Sequence, residues 1–374
     1  MTRDDTNDYA ALFLNDTPLL DVRAPVEFAR GAFPHATNLP LIDDQERHLI
    51  GLRYKQQGQQ AAIDLGNELV RGEVKERRLR AWRDWWRAHP NGYLYCFRGG
   101  LRSRTTQNWL RQAGIDAPLV TGGYKALRRF LLEHLEQHVL QGPLWVLTGR
   151  TGCGKTRVLH QLHRAVDLEG LAHHRGSAFG RRPGGQPAQI DFENALAIRL
   201  LKLGDQAPVL VEDEGRLIGR CALPLCLNQR LRSMPRIDIE EPLESRVDVI
   251  LEDYVLTPLR EFLDGHDEEQ AHGLFAEHLL GALDRIRKRL GGARHQTLRE
   301  IMIRALEQQR RGDGGDEHRH WIRALLSDYY DPMYDYMLRH RQGPVYFRGN
   351  RDHVIATLQE WEREEQARPE GRSR

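Results

Sequence analysis

The chain has 374 residues, 40% of them apolar, and a formal net charge of +2. That length suits two or three domains with ordinary cores, and the near-balanced charge means that a nucleic-acid surface would have to come from local clusters of Lys and Arg. No apolar run approaches the roughly 20 residues needed to span a bilayer, the start MTRDDTNDYA lacks a signal-peptide pattern, and Cys96, Cys153, Cys221 and Cys226 have neither metal-site nor disulfide spacing, so a reducing cytoplasm is expected.

In chain order, Pro18-Leu-Leu-Asp-Val-Arg23 reads as a buried strand that ends in a charged turn. Val26 to Gly31 is a short helix with a glycine stop, and Phe33 to Pro40 is extended. An insertion from Gly51 to Arg71 follows, and then a helix from Glu73 to Arg87. In that helix Leu79, Trp82 and Trp86 share one face, with Arg77, Arg78, Arg80, Arg83 and Arg87 around it. The pattern fits a solvated basic rim. It fits equally an RNA surface in which Arg77, Arg80 and Arg83 meet phosphates and Trp85 stacks on a base.

Tyr93-Leu-Tyr-Cys-Phe-Arg-Gly-Gly-Leu-Arg-Ser103 is a short strand running into a glycine-containing loop, with a helix expected from about Thr105 to Ala113. Inward-pointing loop amides and the positive end of the next helix would form a cradle for an anion. Cys96 sits at its centre with Arg98 and Arg102 nearby in sequence, a setting that favours the reactive thiolate. Ala117 to Val120 reads as another strand, and Gly122-Gly-Tyr124 turns into a further helix. Alternating strands and helices argue for an α/β sheet with its site at the carboxyl ends of the strands.

Beyond Gly142-Pro143, Leu144 to Thr148 is a strand, Gly149-Arg-Thr-Gly-Cys-Gly-Lys-Thr156 is a full P-loop match, and a helix is expected over Arg157 to Ala165. In such a loop Gly149, Gly152 and Gly154 let the backbone amides grip a diphosphate, Lys155 neutralises it, and Thr156 is the Mg²⁺ ligand. Pro208-Val-Leu-Val-Glu-Asp-Glu214 is an apolar strand ending in acids, so Glu212 is the first Walker-B candidate, with Asp213 and Glu214 as alternatives. The glycine-rich stretches Asp167–Gly180 and Gly185–Pro187 are expected to line a ligand. From Glu244 to Glu365 the pattern is helical, with a Gly/Asp break at Gly312 to Asp316 and a second basic run from Arg285 to Arg289 that continues through Arg294, Arg299 and Arg304.

Asp21-Val-Arg23, Glu27-Phe28, Gly31, Pro34-His-Ala36, Asn38, Pro40, the Cys96 loop and Gly122-Gly123 together resemble a rhodanese domain over about the first third of the chain. The C-x5-R spacing from Cys96 to Arg102 is a residue longer than the usual thiosulfate rhodanese loop and is similar to that of rhodanese-fold phosphatases. Cys-Phe-Arg-Gly-Gly-Leu-Arg-Ser in this half, with His174-Arg-Gly-Ser-Ala-Phe-Gly180 and Glu214-Gly-Arg-Leu-Ile-Gly219 in the P-loop half, resembles tRNA 2-selenouridine synthase. The resemblance implies an α/β fold: a rhodanese-like domain over 1–135, then a P-loop NTPase-like domain with a helical C-terminal part over 143–374.

It also implies an activity, a transferase acting on the 2-thiouridine at the tRNA wobble position. The sulfur is first geranylated from geranyl diphosphate, and the geranylthio group is then replaced by selenium from selenophosphate, a donor that a selenophosphate synthetase would supply. No permanent cofactor is implied beyond Mg²⁺ with the diphosphate. On this reading the P-loop holds an allylic diphosphate rather than a nucleoside triphosphate, because developing charge on a departing diphosphate needs preorganised donors. Two rivals stand beside it: a C-x5-R phosphatase, and a non-enzymatic P-loop binding module.

Overall fold

The computed structural model describes residues 3–312 and 315–367, so part of the Gly/Asp break lies outside the described residues. The chain forms two compact units. One runs up to Gln137 and includes Ala188–Lys202; the other comprises His138–Pro187 and the chain from Leu203 onward. This division differs from the expected 1–135 and 143–374 chiefly in one helix, Gln189–Leu203. That helix leaves the P-loop half in sequence because its polar face is tied into the first unit. Asp191 accepts from the Ala32 N–H at 2.6 Å, Asn194 donates to the Ala32 carbonyl at 2.6 Å, and Arg128 bonds both Glu193 and Asn194.

In the first unit, β1 (Leu19–Asp21), β2 (Ala36–Asn38) and β3 (Tyr93–Tyr95) form a parallel sheet in the order β2-β1-β3. Leu94 bridges Leu119, and Thr6 bridges Val120, so the stretch read as a strand over Ala117–Val120 contributes isolated parallel bridges. β1 is fully buried, and a buried strand ending in Asp21 needs that charge answered. Arg23 does so: its Nε lies 2.8 Å from Asp21 Oδ2, its Nη2 donates to the Gly31 carbonyl at 2.8 Å, and its guanidinium lies 3.8 Å from the Tyr124 ring centroid.

The expected insertion Gly51–Arg71 lies mostly in one helix, Asp44–Leu69, kinked at Gly58, and the basic helix expected after it spans Gly72–Ala88. Trp82, Trp85 and Trp86 all face inward, packed with Leu20, Leu94 and Leu110. Trp85 sets its edge to Trp86 and stacks on His89, so the base-stacking role considered for Trp85 is ruled out by burial. Arg78 is likewise structural, donating to Glu46 at 2.7 Å.

In the second unit, β4 (Leu144–Gly149), β5 (Ala165–Val166), β6 (Val209–Glu212), β9 (Arg236–Ile239) and β10 (Val345–Gly349) make a five-stranded parallel sheet in the order β10-β9-β4-β6-β5. A two-stranded hairpin, β7 (Leu217–Ile218) with β8 (Cys221–Ala222), stands apart from it. Two expectations are corrected here. The helix after the P-loop spans only Lys155–Leu159, because the amides of His163 and Arg164 turn to the Glu362 carboxylate (3.1 and 2.7 Å) and free the next residues to form β5. The C-terminal stretch is also not wholly helical, since Val345–Gly349 pairs with β9.

The remaining helices bury their apolar faces around Phe179, Phe275, Leu279, Trp321 and Leu325. Among the described residues, no helix is long and apolar enough to cross a membrane.

His318 is completely enclosed in that helical core. Its Nδ1 accepts from the Trp321 indole at 2.9 Å, and its Nε2 lies 3.1 Å from Gln309 Oε1. Burial lowers its pKa from 6.5 to about 4. The unfolded chain therefore takes up a proton below about pH 6.5 that the folded chain refuses until about pH 4. Stability falls as pH drops through that window and levels off below it, with a ceiling of about 3 kcal/mol. Thermal melts between pH 7 and 4.5 should show this loss in the wild type and a shallower one in His318→Gln. Equal slopes in the two proteins would remove His318 as its source.

Candidate active site

Cys96 follows β3 directly, at the carboxyl end of the first sheet, and is 3% exposed. The helix after its loop starts at Leu101, four residues before the expected Thr105, because Gly100 supplies the N-cap. Ser103 therefore sits in the first helical turn, where its Oγ lies 3.0 Å from Cys96 Sγ. The loop is held from below by the Gly122-Gly123 turn. Tyr124 N donates to the Cys96 carbonyl at 2.9 Å and Lys125 N to the Phe97 carbonyl at 3.0 Å. Gly123 has φ +58°, and a Cβ there would fall 2.2 Å from the Cys96 carbonyl oxygen, so glycine is required for this close approach.

The two arginines expected beside the cysteine have different surroundings. Arg102 forks onto Glu27 at 2.5 and 3.1 Å. Burial would raise the Glu27 pKa, but Arg102 and Arg47 outweigh it and hold the carboxyl below its ordinary range. Arg98 is exposed and lies over the Phe97 ring. Next to Arg102 opens a cavity of about 970 Å³, walled by Leu41, Ile42, Ile50, Ile63, Val70 and Trp109. Of the basic helix, Arg77 and Arg80 are exposed and Arg83 is half-buried.

In the second unit the P-loop follows β4, the central strand, and β6 with its terminal acids is the immediate neighbour. Gly149, Gly152 and Gly154 all have positive φ. At Gly152 (φ +84°) a Cβ would lie 2.8 Å from the Arg246 carbonyl, which fixes the tight turn. Lys155 Nζ lies 3.4 Å from the Gly149 carbonyl, and Thr156 lines the same cavity. Arg150, at a free position of the motif, is gripped by Asp335 at 2.8 and 2.9 Å, and Arg246 forks onto Asp331 at 2.7 and 2.8 Å. The helix Asp331–Leu338 is thus latched to the phosphate loop. No local pattern marks this clasp, because its partners are remote in the chain.

The expected Walker-B acids separate. Glu212 and Glu214 join Glu169, with one carboxylate oxygen from each lying within 4.8 Å of the others. Asp213 does not join them: its carboxylate pairs with Arg341. Glu169 lies in the stretch Asp167–Gly180 expected to line a ligand, but nothing in the sequence marks it as a partner of the acids after β6.

Burial first, and then Glu214, raise the Glu169 pKa to about 8; burial and the neighbouring Glu169 and Glu214 raise Glu212 as well. Burial would drive Lys155 toward neutrality, but Cys153 and these three carboxylates prevail and raise its pKa. Glu212 Oε2 is buried without a hydrogen-bond partner. A close set of hard oxygens with one lone pair unanswered suits Mg²⁺.

The P-loop cavity holds about 590 Å³, and its far wall is made by Tyr254, Tyr329, Tyr330, Met333, Tyr334 and Met337. Tyr254 and the Tyr329-Tyr330 pair come from two π-helical turns, Glu252–Leu256 and Leu326–Tyr330, a wide-pitch geometry that is frequent at functional sites. Helical periodicity places these tyrosines only on a helix, and nothing in it marks the local widening.

A family profile described as the tRNA 2-selenouridine synthase AAA domain matches residues 142–365. A curated protein of Alcanivorax borkumensis called tRNA 2-selenouridine synthase is 64% identical over 358 residues, covering 95% of this chain and 99% of its own length. Proteins of the same name from Marinobacter nauticus and Pseudomonas syringae pv. syringae are each 54% identical, covering 97% and 96% of this chain and 98% of their own. The similarity therefore runs through both the cysteine-loop unit and the P-loop unit, and the chain belongs to the tRNA 2-selenouridine synthase family.

Proposed function

We propose that this protein is a tRNA-modifying transferase that geranylates the sulfur of a wobble 2-thiouridine and then exchanges the geranylthio group for selenium. The names of the relatives support an enzyme of tRNA selenouridine synthesis. The observation that carries the finer reading is the make-up of the P-loop cavity, a diphosphate-gripping floor beneath a wall of tyrosine and methionine. Such a wall suits a flexible terpenyl chain, since methionine adapts to irregular apolar shapes and tyrosine faces attract the positive charge that develops on an allylic carbon.

In the first transfer the thiouridine sulfur attacks C1 of geranyl diphosphate. The C–O bond breaks, diphosphate leaves with the electron pair, and the base loses its N3 proton. Lys155 and the amides around Gly149, Gly152 and Gly154 hold the departing charge, a task best done by donors fixed in advance. Mg²⁺ held by Thr156, Glu169, Glu212 and Glu214 would add further neutralisation of the diphosphate.

Alkylation turns an unreactive thione carbon into one from which a thiol can depart. In the second transfer the selenium of selenophosphate attacks that carbon, and the geranylthio sulfur leaves with the C–S electron pair and takes a proton. Water then cleaves the P–Se bond and releases inorganic phosphate. We assign this step to the Cys96 loop, with Arg98 and Arg102 meeting the phosphate oxygens, the Cys96 thiolate orienting selenium, and water supplying the proton to the leaving thiol. The build of this unit supports the placement: a parallel sheet delivers the cysteine into a loop beside a helix N-terminus. The apolar cavity next to Arg102 has room for the geranyl chain of the incoming nucleotide. Arg77, Arg80 and Arg83 are free to meet tRNA phosphates, without help from Trp85.

This division of labour predicts opposite defects. Lys155→Ala should lose geranylation by on the order of 10²–10³, yet still convert tRNA supplied already S-geranylated. Cys96→Ala should geranylate normally and accumulate the S-geranyl nucleoside. Both variants are to be assayed on both substrates by nucleoside mass spectrometry, with folding checked by thermal melting. Poor geranylation by folded Cys96→Ala, or equal loss of both steps in Lys155→Ala, would refute the two-site assignment.

A further inference from the structure

A second cavity of about 590 Å³ adjoins the P-loop cavity within the same unit, and Gly176, Ser177, Ala178, Arg182 and Leu217 line both. It is formed where two glycine-rich stretches of the sequence meet, the loop His174–Gln186 and the hairpin of β7 and β8. Gln186 fastens them together. Its amide donates to the Ala172 and Ile218 carbonyls at 3.1 and 2.8 Å, and its oxygen accepts from Arg220 N at 2.7 Å. Gly219 (φ +60°) leaves the space this clamp needs, because a Cβ there would lie 2.1 Å from Gln186 Oε1 and 2.7 Å from His174 Cδ2.

The charge of this cavity is one-sided. Arg181, Arg182, Arg220 and Arg285 line it together with His174, and no carboxylate does among the described residues. Arg285 is braced on the Ala178 carbonyl at 2.7 Å. His174 is 6% exposed, and its Nδ1 is buried without a partner, as is Arg182 Nε. Burial and then Arg181, Arg285 and Arg182 lower the His174 pKa, and burial and then Arg181 lower that of Arg285, so these cations repel one another, while Arg182 also feels the Glu169 carboxylate of the neighbouring cavity. A group of arginines assembled at that electrostatic cost fits a phosphate, which accepts several charge-assisted hydrogen bonds at once.

We infer that this pocket binds a backbone phosphodiester of the substrate RNA next to the target nucleotide, and so sets the base beside the donor held by the P-loop. The inference rests on the tRNA-modifying function proposed above. An RNA phosphate fits better than a free anion because the pocket is continuous with the donor cavity and its arginines at positions 181, 220 and 285 are exposed at the surface, where a strand can cross them. Leu217, 58% exposed on the shared rim, offers an apolar face for the adjoining base.

The test uses the full chain with Arg181→Ala, Arg220→Ala, the double variant, and the paired Lys substitutions. Binding of a 2-thiouridine anticodon stem-loop RNA is followed by fluorescence anisotropy across a salt series, and that of inorganic diphosphate and thiophosphate by calorimetry. Each Arg→Ala change should weaken RNA binding and lower the log–log salt slope by roughly 0.7–0.9. The KM for the RNA should rise while the KM for geranyl diphosphate and the diphosphate affinity stay at wild-type values. The Lys pair should recover most of the slope.

An unchanged slope and RNA KM in the folded double variant would overturn the inference. So would loss of thiophosphate binding with RNA binding intact, which would assign the pocket to a free oxyanion. If the wild-type protein geranylates no RNA at all, the proposed function itself fails; if it does so and the variants match it, only this inference fails.

Discussion

The P-loop unit is organised around one electrostatic constraint: a lysine ammonium and three carboxylates held together at the carboxyl end of a parallel sheet. Lys155 stays charged because Cys153, Glu214, Glu169 and Glu212 outweigh its burial. The three carboxylates are pushed toward protonation first by burial and then by neighbouring acids, Glu214 at Glu169, Glu169 and Glu214 at Glu212, and Asp167 at Glu214. Such an arrangement is costly in isolation. Other contacts also converge on the loop. The Arg150–Asp335 and Arg246–Asp331 pairs latch a distant helix to it, and this helix brings Met333, Tyr334 and Met337 to the cavity. The P-loop and the apolar wall are therefore coupled through ion pairs rather than through sequence proximity.

The cysteine-loop unit solves a parallel problem with different groups. Its central strand ends in a buried carboxylate, and the fork of Arg23 onto Asp21, capped by Tyr124, allows that end to be packed. The residues of the Asp21-Val-Arg23 motif thus hold the scaffold and do not face a substrate. The Gly122-Gly123 turn then clamps the loop that presents Cys96. Glu27 plays a double part, capping its own short helix through Ala24 N and holding Arg102 in place.

Much of this was legible in the sequence wherever chemistry is tied to short spacing. The P-loop and the strand before it, the Cys96 loop after a strand, and the acids after an apolar run all stand where local patterning places them. What could not be read depends on partners remote in the chain. Nothing local distinguishes Asp213 from Glu214, because the choice is made by Arg341, which is 128 positions away. Trp85 looks like a surface aromatic on a basic helix, and only the packing of Trp86, His89 and Gly92 around it makes it core. The helix Gln189–Leu203 follows the P-loop in sequence, yet is bonded to Ala32 and Arg128 in the first unit.

On the proposed function, selenium enters through an S-alkylated intermediate made at the P-loop. The most direct measurement is nucleoside mass spectrometry of 2-thiouridine tRNA incubated with the protein in two stages. Geranyl diphosphate alone should convert the nucleoside to its S-geranyl form, and later addition of selenophosphate should convert that form to 2-selenouridine, with no ATP consumed. Formation of 2-selenouridine from selenophosphate when geranyl diphosphate is omitted would contradict an S-geranyl intermediate.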